Sequence, residues 1–223
     1  MTITNSMNVI PVINCPDIGC VRKRLEMART FLRPGDLLHL DVTDGAFAVH
    51  KTWSDPHAWA GLNAPFPLEV HLMVEQPEEH ADDWFTAGAR RLVVHIETVA
   101  PAGVRRLLDL ADHHHGAIVL SSLPDTDPEM FEPFIRRFGE RITAFQVLAV
   151  PPGAAGQKFL PSVLAKIMAL RQMSPNATIE VDGGMDPATA RLVKAAGADT
   201  VLSASYIFGS ADPKKAYEEL RKI

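Results

Sequence analysis

The chain has 223 residues, 47% hydrophobic and 22% charged, with a formal net charge of −5 at pH 7. This is an ordinary globular composition, long enough for one large domain with a sizeable core. The acidic balance excludes a general nucleic-acid binder but allows a small anionic ligand in a locally positive site. No stretch approaches the ~20 apolar residues of a membrane span, and the opening MTITNSMNVIPV lacks the basic-then-apolar pattern of a signal peptide.

In chain order, residues 1–6 are polar and expected to fray. Asn8–Asn14 reads as the first strand. Cys15 and Cys20 are too few for a disulfide framework and read as structural or incidental, which points to a reducing cytoplasm. A helix is predicted over Ile18–Leu32 and a second strand over Leu37–Val42, followed by a short helix within SDPHAWAGL (54–62). Strands at Leu68–Met73, Arg91–Ile96, Ala117–Ser121, Ala144–Ala149, Thr178–Val181 and Thr200–Ser203 alternate with helices at Pro77–Ala87, Pro101–His115, Pro128–Phe138, Pro161–Gln172, Pro187–Ala196 and Pro213–Lys222. Several helices open on proline, which suits the first helical turn. AGARRLVVHIE (87–97) and AGADTVLSAS (196–205) repeat one unit, a helix stopped at glycine and leading into a strand. Eight alternations without a linker predict a single-domain (β/α)8 TIM barrel over residues 1–223. An open doubly wound sheet would more often show Gly-x-Gly-x-x-Gly after its first strand, where this chain has NCPDIGC.

Barrels of this kind carry catalytic groups at the C-terminal ends of their strands. In LLHLDVTDG (37–45), Leu38, Leu40 and Val42 share one face, and His39 and Asp41 share the other. Glu69, His71 and Met73 share a face of the third strand, and Asp182 follows Glu180 at the end of the seventh. His39, Asp41, His71 and Asp182 thus fall at one rim and suit a divalent ion such as zinc, manganese, iron or cobalt. Glu97 lies near the same rim without an assigned role. Glycines follow strands six to eight: Gly153 and Gly156 flank Ala154 and Ala155, Gly183 and Gly184 form a pair, and Ala204-Ser205 leads into YIFG. Backbone amides after such strands often hold phosphate. Trp59 and Trp84 read as packing, His113–His115 as a solvent-facing helix end, and Glu78–Asp83 as a solvated face.

The chain resembles the ribulose-phosphate 3-epimerases over nearly its whole length. The resemblance is carried by HLDVTDGAF, LEVHLMVEQPEEHADDWFTAGA, PPGAAGQKFLPSVLAKI, IEVDGGMDPATA and AGADTVLSASYIFG. It implies a ribulose-phosphate-binding barrel with one divalent ion on His39, Asp41, His71 and Asp182. It implies Asp41 and Asp182 as catalytic acid and base, and substrate or phosphate contacts from His71, Met73, Gly153, Ala154, Ala155, Gly156, Gly183, Gly184, Ala204 and Ser205. The reaction implied is inversion at C3 of ribulose 5-phosphate to xylulose 5-phosphate in a cytoplasmic homo-oligomer acting on a small sugar phosphate. The residue types suit it: the C3 proton leaves to give an enediolate stabilised by a Lewis acid, and one carboxylate stands on each face of the carbon.

The sequence departs from the family around the substrate. Val12 stands where the family has serine, Thr43 replaces methionine, Ala154 and Ala155 replace the Phe-Gly of a Gly-Phe-Gly-Gly loop, and Ala204 replaces glycine. The loop after the second strand lacks the usual Pro-Asn and carries His50, Lys51 and Trp53. Ala155 is expected to restrict a positive φ, and Lys51 either supplies charge to phosphate or is simply exposed. Another ketose phosphate, such as a hexulose 6-phosphate, is therefore an alternative substrate, and a ligand-binding barrel without turnover is an alternative function. A related decarboxylase would need Asp-x-Lys-x-x-Asp; Asp41-Val42-Thr43-Asp44 has no such lysine.

Overall fold

The computed structural model of the chain describes residues 6–223, so the expected frayed start lies outside the described residues except for Ser6, which is exposed. Eight parallel strands close on themselves in sequence order: β1 Asn8–Ile13, β2 Leu38–Thr43, β3 Leu68–Met73, β4 Ala89–His95, β5 Ala117–Ser122, β6 Ala144–Leu148, β7 Thr178–Asp182 and β8 Thr200–Ser203. β8 returns to pair with β1, Val9 opposite Val201. The closed barrel expected from the alternation is therefore present, and each strand lies within two residues of its predicted bounds.

Period-two alternation builds the two layers. Outward residues such as Leu40, Val70, Leu92, Leu120, Val147 and Val181 are buried in one continuous apolar layer between sheet and helices. Burying each such side chain stabilises the fold by roughly 1.5–3 kcal/mol. The inward face holds only small apolar clusters, Ile10–Val12–Leu202 and Val93–Val119–Ala144. The rest of the interior is largely polar, including His39, Glu69, His71, His95, Gln146 and Glu180, all fully buried.

The surrounding helices are α1 Ile18–Ala28, α2 Pro56–Ala60, α3 Ala81–Thr86, α4 Pro101–His113, α5 Glu132–Phe138, α6 Val163–Met173, α7 Pro187–Ala196, α8 Ser205–Phe208 and α9 Pro213–Arg221. α7 has its predicted bounds, because a reciprocal cap of Asp186 and Thr189 starts it and Gly197 at φ 110° ends it. Two predicted helices are instead split. Pro77–Glu79 is a 3-10 turn entered through left-handed Gln76, and α3 begins only after His80. Pro128–Phe131 is likewise 3-10, and Pro133, which has no N–H to donate, lies in the first turn of a separate α5. The four-residue α8 was not anticipated.

Cys15 and Cys20, read from the sequence as structural or incidental, are joined in a disulfide. The Asp17 carboxylate accepts the Cys20 N–H at 2.9 Å and caps α1, turning the chain back so that the two Cα atoms lie 5.6 Å apart. The bond is a local staple between the end of β1 and the first turn of α1. Trp59 and Trp84 are core residues, as expected. His114 is not simply solvent-facing: it stacks on Phe85 and pairs with Asp82 at 2.8 Å.

Candidate active site

Parallel register brings the polar residues to one level. Asp41 pairs with His71 across β2–β3, and Leu148 pairs with Asp182 across β6–β7. His39, Asp41, His71 and Asp182 are all buried, and one ligand atom from each lies within 4.8 Å of the other three. His39 Nε2 is 3.1 Å from Asp41 Oδ1, and His71 Nδ1 is 3.5 Å from Asp41 Oδ1 and 3.7 Å from Asp182 Oδ2. His71 Nδ1 is buried without a hydrogen-bond partner. An orphaned nitrogen facing two carboxylates, in a His2Asp2 donor set, fits a divalent ion.

Asp41 and His39 are braced from behind. The Asn14 amide donates to Asp41 Oδ2 and to the Gly153 carbonyl, both at 2.8 Å, tying the carboxylate to the loop after β6. His39 Nδ1 lies 2.7 Å from Glu69 Oε1. Arg91 Nε is 2.9 Å from Glu69 Oε2, and its Nη2 donates to Glu180 Oε1, so a half-buried cation bridges two buried carboxyl groups beneath the site. Asn14, Arg91 and His95 did not emerge from the sequence as site residues. The inward positions of Arg91 and His95 on β4, and of Asn14 just after β1, were the signal.

The local fields are strong. Burial opposes a charge on His39, but Asp41 and Glu69 outweigh it and push the imidazole up to about 10. Burial also opposes the Asp41 charge, yet His39 and His71 hold that carboxyl well below the usual range. Burial, with the Asp41 charge beside it, raises Asp182 against the pull of His71. Burial drives His95 down to about 4.

Burial and then the Glu69 charge lift Glu180 from its ordinary 4.5 to about 7, more than Arg91 lowers it. A folded-state value above the unfolded one means that the folded protein binds more protons between pH 4.5 and 7. The stability this proton contributes is complete below that window and lost as pH rises through it. Urea unfolding of the wild type is therefore expected to weaken from pH 5 to pH 7.5 relative to Glu180→Gln. A wild-type profile no steeper than the variant's would contradict this.

Above the ligand cluster a cavity opens at the C-terminal rim. Asp41, Asp182, Met73, Gly153, Ala154, Ala155, Gly156, Gly183, Gly184, Ala204 and Ser205 line it, together with Val12, Asn14 and Leu148. His39 and His71 are fully buried and lie outside this lining, so of the expected contact residues only His71 is set back from the cavity. The cavity lining contains no lysine or arginine, and Lys51 is exposed outside it. The positive φ values of the 153–156 loop fall on Gly153 and Gly156, so Ala155 strains nothing there, contrary to expectation. Gly184, at φ 68°, could not carry a Cβ, which would lie 2.5 Å from the Phe159 nitrogen. Thr43 does not line the cavity; its hydroxyl donates to the His50 carbonyl at 2.5 Å and fastens the loop after β2.

The ribulose-phosphate 3 epimerase family model matches residues 15–208. The ribulose-phosphate 3-epimerase of Chlamydia muridarum is 34% identical over 209 residues, covering 90% of this chain and 87% of that protein. The cytoplasmic isoform of ribulose-phosphate 3-epimerase from Oryza sativa subsp. japonica is 33% identical over 188 residues, covering 84% and 82%. Among solved structures, 3-hexulose-6-phosphate synthase from Salmonella typhimurium superposes with a TM-score of 0.70 over 97% of both chains at 14% identity, a likeness of fold. The chain belongs to the ribulose-phosphate 3-epimerase family, and with it to the carbohydrate epimerases of the isomerase class.

Proposed function

We propose that the protein inverts C3 of a ketose phosphate, interconverting D-ribulose 5-phosphate and D-xylulose 5-phosphate. His39, Asp41, His71 and Asp182 would hold one divalent ion, with zinc, manganese, iron and cobalt all compatible with the donor set. The observation that carries this reading is the convergence of these four donors directly beneath the cavity, with Asp41 and Asp182 reaching its lining. When bound there, such an ion would supply Lewis-acid stabilisation of the negative charge that develops on the substrate.

The chain's own groups do the rest. Asp41 and Asp182 remove the C3 proton on one face and return one on the other. Their environments push their pKa values in opposite directions, Asp41 down and Asp182 up. Asn14 keeps Asp41 aimed. Val12, Met73 and Leu148 line the cavity and help exclude water from the carbanion. Because the cavity lining carries no cationic side chain, the phosphate is gripped by backbone N–H groups at 153–156, 183–184 and 204–205.

Val12 lines the cavity where the family has a hydroxyl, and this altered lining keeps a hexulose 6-phosphate as the second candidate substrate. A panel of pentulose and hexulose phosphates, incubated with added divalent ions in deuterium oxide, distinguishes them. Wash-in at C3 of ribulose 5-phosphate without carbon dioxide release is expected. Exchange with a hexulose phosphate alone would move the substrate, and exchange with none would favour a binding barrel without turnover. We further propose a cytoplasmic homo-oligomer, as the family resemblance implies. Light scattering should give a mass of at least twice the 24.4 kDa of one chain, and a mass of 24.4 kDa would contradict the oligomer.

A further inference from the structure

A buried side-chain relay runs from His71 outward to the rim of β4. His71 turns Nδ1 toward Asp41 and Asp182, and turns its other ring nitrogen toward β4, where Nε2 lies 2.9 Å from His95 Nε2. The two rings stack with centroids 5.0 Å apart and planes 10° from parallel. Phe47, from the loop after β2, packs on the His95 ring at 4.7 Å. His95 Nδ1 is 3.2 Å from Glu97 Oε2. The other carboxylate oxygen, Oε1, accepts the Leu123 N–H at 2.9 Å and the Thr126 hydroxyl.

The positions of the protons follow from the far end. An ionised carboxylate only accepts, so His95 Nδ1 carries a proton and donates it to Glu97. A neutral His95 then presents a bare Nε2. Two ring nitrogens 2.9 Å apart share one proton, which sits on His71 Nε2. His71 Nδ1 is left as a lone pair, and it is this atom that is buried without a partner. Glu69 likewise accepts Nδ1–H of His39, whose Nε2 faces Asp41 at 3.1 Å.

We propose that Glu97, acting through His95, is a positioning residue that fixes which nitrogen of His71 is free to bind a divalent ion. Control of the site's metal affinity thereby reaches the rim of β4, two side chains away from the ion. The inference rests on His71 being a ligand. Glu97 is suited to test it because its side chain is 21% exposed and can be changed without opening the core.

In Glu97→Gln the Leu123 N–H still requires an oxygen at the Oε1 position, so the new NH2 group faces His95 Nδ1, donor against donor. The conflict is relieved if His95 moves its proton to Nε2. His71 must then accept at Nε2 and carry its own proton on Nδ1, where the ion would bind. Outer partners of ligating histidines typically change metal affinity about 10- to 100-fold.

The test strips the protein with a chelator and measures zinc affinity by competition with a chelating dye, alongside the visible spectrum of the cobalt-loaded form. Glu97→Gln is expected to bind zinc about 10- to 100-fold more weakly and to shift the cobalt bands, while its metal-free form melts as the wild type does. His95→Phe keeps a ring against His71 but removes the acceptor, and should lose affinity as well. Unchanged zinc affinity and cobalt spectra in both variants would overturn the inference alone. A wild type that takes up no ion would overturn the ligand reading and this inference together.

Discussion

Asp182→Asn is expected to lower proton exchange at C3 of ribulose 5-phosphate by at least about 10²–10⁴-fold, the range for losing one acid–base group. The substitution keeps size and shape but removes the charge from a side chain that lines the cavity and lies 3.7 Å from His71 Nδ1. One change thus weakens a ligand set and deletes one of the two groups that handle the C3 proton. Asp182 is the last inward residue of β7, at the cavity end of the barrel, so the barrel should fold and melt near the wild-type temperature. Asp41→Asn should be equally inactive. It should also lose some stability, because Asp41 accepts from Asn14 at 2.8 Å and faces His39 at 3.1 Å. The check is deuterium wash-in followed by NMR, with a thermal melt as the control for folding. Wild-type exchange in either variant would remove that carboxylate from the reaction.

The largest effect on stability is expected at Arg91. Its guanidinium, 19% exposed, bridges Glu69 and Glu180, both fully buried inside the barrel. Arg91→Met leaves two carboxyl groups facing each other without a cation. Breaking a buried pair in this way costs about 3–5 kcal/mol, which for a chain of this size is a drop in Tm of roughly 6–20 °C. The second substitution Glu180→Gln should recover little of that loss, because Glu180, already lifted to about 7 beside Arg91, keeps its proton once the guanidinium is gone. The double-mutant cycle reads the coupling directly. An Arg91→Met protein that melts like the wild type would show that the bridge contributes nothing.

The ligand set was legible in the sequence because period two puts His39 with Asp41, and Glu69 with His71, on one face of their strands whatever the rest of the fold does. Barrel closure was legible from eight alternations without a break. What surrounds the ligands was not, because it depends on register between strands. β3 and β4 slip between Leu68 and Glu69, and His71 then pairs with Val93. Only in that register does His95, two residues further along β4, come beside the His71 ring. Asn14 likewise reaches Asp41 and Gly153 across 27 and 139 residues of chain. Local chemistry caused the remaining misses. Pro133 and left-handed Gln76 divide two stretches that looked like continuous helices, and the Asp17 cap folds Cys20 back onto Cys15.

The central claim is that one ion on four side chains drives exchange at C3. Titrating chelator-stripped protein with zinc or cobalt, while following deuterium incorporation into ribulose 5-phosphate, tests it most directly. Exchange should be absent at the start, rise in proportion to added ion and level off at one equivalent per chain. Full exchange in the stripped protein, or a titration in Asp182→Asn that matches the wild type, would contradict it.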